Sequence, residues 1–83
     1  MNMTRKTITQ KVTNILCDKL GVNESDCCPC ALLSDDLGVD SLDFIELVID
    51  IEEGLSITLL DGDLEQVKTV GDLLAVIYSK LNV

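Results

Sequence analysis

Residues 41–53 read SLDFIELVIDIEE, and whether this run is strand or helix decides the fold. Its isoleucines, valine and phenylalanine favour a strand by composition. The polar positions argue the other way. Asp43, Glu46, Asp50 and Glu53 are spaced three, four and three, which is the period of a helix and not the two-residue alternation of a half-buried strand. Asp40 or Ser41 supplies an N-cap, and Gly54 is the expected stop.

Working outward, TITQKVTNILCDKLG (7–21) carries Ile8, Val12, Ile15, Leu16 and Leu20 as one apolar stripe. Thr7 with Gln10 fits a capping box, Thr4 offers an earlier start, and Gly21 ends the segment. A long connection, VNESDCCPCALLSDDLGVD, follows, pinned to the core through Leu32, Leu33 and Leu37. After residue 60, DGDLEQV has room for one or two turns. A last helix opens at Thr69 with Asp72 three residues on, and Val70, Leu73, Leu74, Ile77 and Leu81 share one face. The expected fold is all-α: a small bundle of three longer helices and one short third helix, with a long loop between the first two. Eighty-three residues make one domain, 1–83.

The charge is uneven. Between Lys19 and Lys68 there are thirteen acidic residues and no basic one, within a net charge of -9. Such a surface repels nucleic acid and anionic membranes and steers basic protein surfaces toward it. With 47% hydrophobic residues the chain packs a core and is not disordered. No apolar run is long enough to span a bilayer, and MNMTRKTITQ lacks a secretory signal, so a soluble cytoplasmic monomer is expected. Cys17, Cys27, Cys28 and Cys30 look like half of a metal cluster. Without histidine or a second C-x-x-C no metal site is expected; the cysteines read as reduced loop thiols with no assigned function, an adventitious disulfide being the alternative.

On a helical wheel, Phe44, Leu47, Val48 and Ile51 fall within an arc of about 100°, enough to face a core. Leu42, Ile45 and Ile49 form a second stripe, edged by Asp43, Glu46, Asp50 and Glu53 on one side and Glu52 on the other. Either a neighbouring helix covers that stripe, or it is a docking surface with charged guides. Ser41 sits at its start. A nucleophilic serine needs a base, and the chain has no histidine; its nearest lysines in sequence are Lys19 and Lys68. Self-contained hydrolysis is therefore not expected. Two readings remain: a plain capping serine, or a hydroxyl that another enzyme modifies, with an attached phosphate sitting at the positive end of the helix dipole.

DDLGVDSLDFIELVIDIEE (35–53) resembles the attachment motif of acyl carrier proteins, D-S-L within D-L-G-x-D-S-L-D, and the likeness extends loosely over nearly the whole chain. The resemblance implies a carrier and not an enzyme. It implies 4'-phosphopantetheine, taken from coenzyme A through a holo-synthase and attached to Ser41, with acyl groups carried as thioesters. It also implies docking of fatty-acid-synthesis enzymes and acyltransferases with basic patches, through the carboxylates of Asp40, Asp43, Glu46, Glu52 and Glu53 and the apolar contacts of Leu42, Ile45 and Ile49. Type II fatty-acid synthesis is the expected pathway; polyketide, lipid A-type or aminoacyl-loading routes are the alternatives. Phe44, Asp50, Gly54 and the CCPC loop depart from the family pattern, and Phe44, if inward, would shorten an acyl pocket. A cation-binding adaptor is the rival from another class. An EF-hand reading of DGDLEQVKTVGD fails, because Gln66 stands at the glycine position and Asp72 at the glutamate position.

Overall fold

A computed structural model describes residues 4–83; the first three residues of the expected domain lie outside it. Four α-helices follow in order: α1 (Arg5–Leu20), α2 (Ser41–Leu55), α3 (Asp61–Leu64) and α4 (Val70–Leu81). The all-α expectation, with three longer helices and a short third, matches this order.

The helix ends show which sequence signals prevailed. Thr4 caps α1, its hydroxyl accepting from the Thr7 N–H, while Gln10 instead bonds Asn14 along the helix surface at 2.9 Å. The earlier start wins because the chain is already helical at Arg5. At the other end, Gly21 adopts φ 68° and closes the helix as expected. In α2 the expected stop at Gly54 is passed. Leu55 is buried at 5% exposure, and that burial carries the helix through Gly54 to Leu55, so Ser56 takes the left-handed φ of 55° instead. Gly54 itself faces α1, where an added Cβ would touch Ile15 Cδ1 at 3.4 Å.

Ile8, Val12 and Leu16 of α1, Leu47 and Ile51 of α2, and Val70, Leu73 and Ile77 of α4 are fully buried and form one core. Helix α1 packs against both α2 and α4, and α3 leans on α4. The Cα atoms of α2 stay more than 8 Å from those of α3 and α4, so side chains alone fill that side of the bundle. The long connection is not bare coil. A 3-10 turn occupies Glu24–Asp26, and Leu32 pairs with Thr69 in an isolated antiparallel bridge. Leu33 and Leu37 are buried and Leu32 partly so, which anchors the loop as its leucines suggest.

The capping box of α4 has a testable pH signature. Asp72 accepts from the N–H groups of Lys68 and Thr69, both at 3.1 Å, and these bonds hold its carboxyl below the usual range. A depressed pKa in the folded state stabilises fully above the unfolded value of about 3.9, and that contribution is lost as pH falls through the folded value. The melting-temperature gap between wild type and Asp72→Asn is therefore expected at neutral pH and should be smaller at an acidic pH below the unfolded value of about 3.9. A gap of equal size at both pH values would refute the assignment.

Candidate functional site

Helix α2 begins with Asp40 as its cap. The Asp43 N–H donates to Asp40 Oδ1 at 2.8 Å, and the Asp40 N–H returns a longer bond to Asp43 Oδ2 at 3.4 Å. The choice between Asp40 and Ser41 as cap is thereby decided, with a consequence for Ser41. Relieved of capping, its side chain stands exposed in the first helical turn, and its hydroxyl bonds to none of the described residues. The dipole of a 15-residue helix points its positive end there.

The second stripe of α2 is bare. Leu42, Ile45 and Ile49 are 65%, 57% and 46% exposed, so no neighbouring helix covers them. An apolar strip thus runs along α2 from the residue after Ser41. Leu60, also exposed, stands just before α3.

The carboxylates around the strip are not equivalent. Asp40 and Asp43 are engaged in the cap. Glu46 and Asp50 both reach Lys19 on α1, at 3.8 and 3.0 Å, and these contacts raise the lysine's pKa, led by the hydrogen bond to Asp50. Glu52 accepts the Leu59 N–H at 2.8 Å and so fastens the segment after α2. Glu53 is exposed and has no ion-pair partner among the described residues. The edge of the strip is therefore partly neutralised by Lys19 on one side and free at Glu53.

Where α2 and α3 stand apart, two open grooves form. One, of about 470 Å³, has Ser41 and Asp40 at its rim, with Leu33, Val39, Phe44, Leu64, Val67 and Lys68 around it. The other, of about 370 Å³, lies between α2 and α3, with Val48, Ile49, Leu59 and Leu64 among its walls. Phe44 is half-buried and borders both, so the ring is a partition between them and not a plug in the core. Sequence reasoning missed Leu64, Val67 and Lys68. Leu64 and Val67 lie within the short acidic stretch DGDLEQV, which has no helical stripe, Lys68 follows it, and only the fold brings them to the groove that Ser41 borders.

These residues fit a phosphodiester-linked arm. The serine hydroxyl is exposed and unengaged, the helix N-terminus favours an attached phosphate, and an apolar-walled groove opens beside it. Among the described residues no group of three or more histidine, cysteine or carboxylate side chains could hold a metal, and no helix is long and apolar enough to cross a membrane.

Comparison with known proteins agrees with this geometry. The family model for a phosphopantetheine attachment site matches residues 10–77. An acyl carrier protein of Thermotoga maritima is 47% identical over 77 residues, 93% of this chain and 95% of its own. The solved structure of an acyl carrier protein from Enterococcus faecalis matches with a TM-score of 0.79 and 29% identity, covering 94% of this chain and 99% of that one. An all-helical bundle with an unengaged serine hydroxyl, matched over most of its length by such proteins, belongs to the phosphopantetheine attachment-site family, as an acyl carrier holding 4'-phosphopantetheine covalently and not as an enzyme.

Proposed function

We propose that Ser41 is the attachment point, that residues 1–83 form a single carrier domain, and that the chain serves type II fatty-acid synthesis in the cytoplasm. The observation that carries the first claim is the exposed Ser41 hydroxyl, free because Asp40 does the capping. When bound, the arm supplies a terminal thiol that holds acyl groups as thioesters. The chain's own residues present and orient it. The helix N-terminus would favour a phosphate attached at Ser41, Asp40 and Asp43 fix the backbone of the first turn, and the groove lined by Leu33, Val39, Phe44 and Val67 would offer the arm an apolar bed. The test is intact-mass analysis after incubation with coenzyme A and a phosphopantetheinyl transferase. One arm should be gained and should map to Ser41; an arm elsewhere, or none, rejects the assignment.

Docking of the transferase and of successive synthesis enzymes is assigned to Leu42, Ile45 and Ile49, with Asp40, Asp43, Glu46, Glu52 and Glu53 as the charged surround. The bare strip supports this, because charge steers encounter while a desolvated apolar centre supplies most of the affinity. The contribution of charge should follow how free each carboxylate is. Glu53→Lys is expected to slow loading by roughly tenfold at low salt, and the difference should shrink as ionic strength rises. Glu24→Lys, in the distant 3-10 turn, should slow it far less. Equal slowing at both sites would mean that only net charge matters.

A further inference from the structure

Nothing in the carrier function uses the four cysteines, and they fall into two unlike pairs. Cys17, near the end of α1, is near enough to Cys27 to act on its titration. Cys27 is buried, its Sγ also lies 3.7 Å from the Asn23 carbonyl oxygen, and burial with the nearby Cys17 pushes its pKa up to about 11. Cys28 and Cys30 are exposed, and their Sγ atoms are 3.1 Å apart.

The exposed pair is held by backbone. Pro29 and Cys30 occupy the centre of a turn closed by the Ala31 N–H donating to the Cys28 carbonyl at 2.9 Å, with proline at the position that suits its fixed φ. The turn is bonded to the start of α4. The Gly71 N–H donates to the Pro29 carbonyl at 2.9 Å and the Val70 N–H to the Ala31 carbonyl at 3.0 Å. The seat is close: a Cβ at Gly71 would stand 2.9 Å from the Pro29 oxygen. The two thiols are thus brought together by the loop's own hydrogen bonds, and bonding them requires the sulfurs to approach by about 1 Å, to the 2.05 Å of a disulfide. No third ligand from the described residues joins them, so the geometry suits a sulfur–sulfur bond and not a metal.

We propose that Cys28 and Cys30 are a redox-active dithiol that small-molecule disulfides of the glutathione type convert reversibly to an intramolecular disulfide. One thiol loses its proton to solvent, and the thiolate attacks a sulfur of the small disulfide, breaking its S–S bond and expelling one small thiolate. The second cysteine, deprotonated in turn, attacks the protein sulfur of the mixed disulfide and expels the second small thiolate. The protein dithiol loses two electrons and two protons, and the small disulfide is reduced to two thiols. Closure should outrun accumulation of the mixed disulfide, because the attacking sulfur is already in contact. Cys27, shielded and rarely ionised at neutral pH, stays out of the exchange.

The test uses the full chain carrying Ser41→Ala, so that no arm thiol takes part, in buffers of graded oxidised and reduced glutathione. Intact mass should fall by two hydrogens with no lasting glutathione adduct, and dithiothreitol should restore it. Differential alkylation with fragmentation should place the bond between Cys28 and Cys30. Cys28→Ser or Cys30→Ser, added singly, should instead trap one glutathione on the remaining thiol of the pair. Lasting adducts on both cysteines of the four-cysteine chain, a bond ending at Cys17 or Cys27, or no reaction at all would each overturn the proposal.

Discussion

Ser41→Ala is expected to abolish loading by a phosphopantetheinyl transferase while leaving the fold as stable as wild type. The two halves of that expectation have separate causes. Loading needs an oxygen nucleophile at this position, and alanine has none, so the product should be undetectable at any enzyme concentration. Stability should hold within about 0.5 kcal/mol, the usual range for a surface substitution that touches no cap or core contact. The hydrogen bond that closes the first turn runs from the Asp43 N–H to Asp40 and not to Ser41.

Asp40→Ala supplies the opposite pattern. Loss of an N-cap side chain costs about 1 kcal/mol, so this variant should melt earlier than Ser41→Ala yet still accept one arm, at a reduced rate. Intact mass and thermal melting on the two variants separate the reactive position from the structural one next to it. If Ser41→Ala melts lower and Asp40→Ala does not, the capping role has been placed on the wrong residue. If Ser41→Ala still takes the arm, the attachment point lies elsewhere.

How much of this was legible in the sequence depends on how local the cause is. The spacing of Asp43, Glu46, Asp50 and Glu53 distinguished helix from strand because side-chain direction follows backbone period directly. The box at Thr69 and Asp72 was readable for the same reason: its bonds span three residues. Signals with two local solutions were not resolved. Thr4 and Thr7 both offered a start to α1, and Asp40 and Ser41 both offered a cap to α2. Gly54 misled because a tertiary contact, the burial of Leu55, overrode a local stop. Whether Leu42, Ile45 and Ile49 were core or surface depended on where the other helices pass, which no wheel contains. The pairing of Lys19 with Glu46 and Asp50, the bond from the Leu59 N–H to Glu52 and the bridge of Leu32 to Thr69 depend on the whole fold.

Two isoleucines of α2 provide the sharpest test of that division between core and surface. Ile49 and Ile51 are the same residue two positions apart, so their intrinsic helix preferences are equal and differences between their variants come from surroundings. Ile51 is fully buried, and Ile49 is 46% exposed on the bare strip. Truncating a buried isoleucine to alanine costs about 2–5 kcal/mol, counting the cavity left behind. A chain of this size has a total stability of only about 4–12 kcal/mol, from 0.05–0.15 kcal/mol per residue. Ile51→Ala is therefore expected to remove much of the stability, lower the melting temperature steeply and reduce loading only through the unfolded fraction. Ile49→Ala should leave the melting temperature close to wild type and slow loading in the folded protein, because what it removes is contact area for a partner. Thermal melts paired with loading rates, corrected for the folded fraction, check both. If Ile49→Ala destabilises as much as Ile51→Ala, the strip belongs to the core and the docking proposal fails. If it leaves the corrected rate unchanged, the transferase reads α2 through its charges alone.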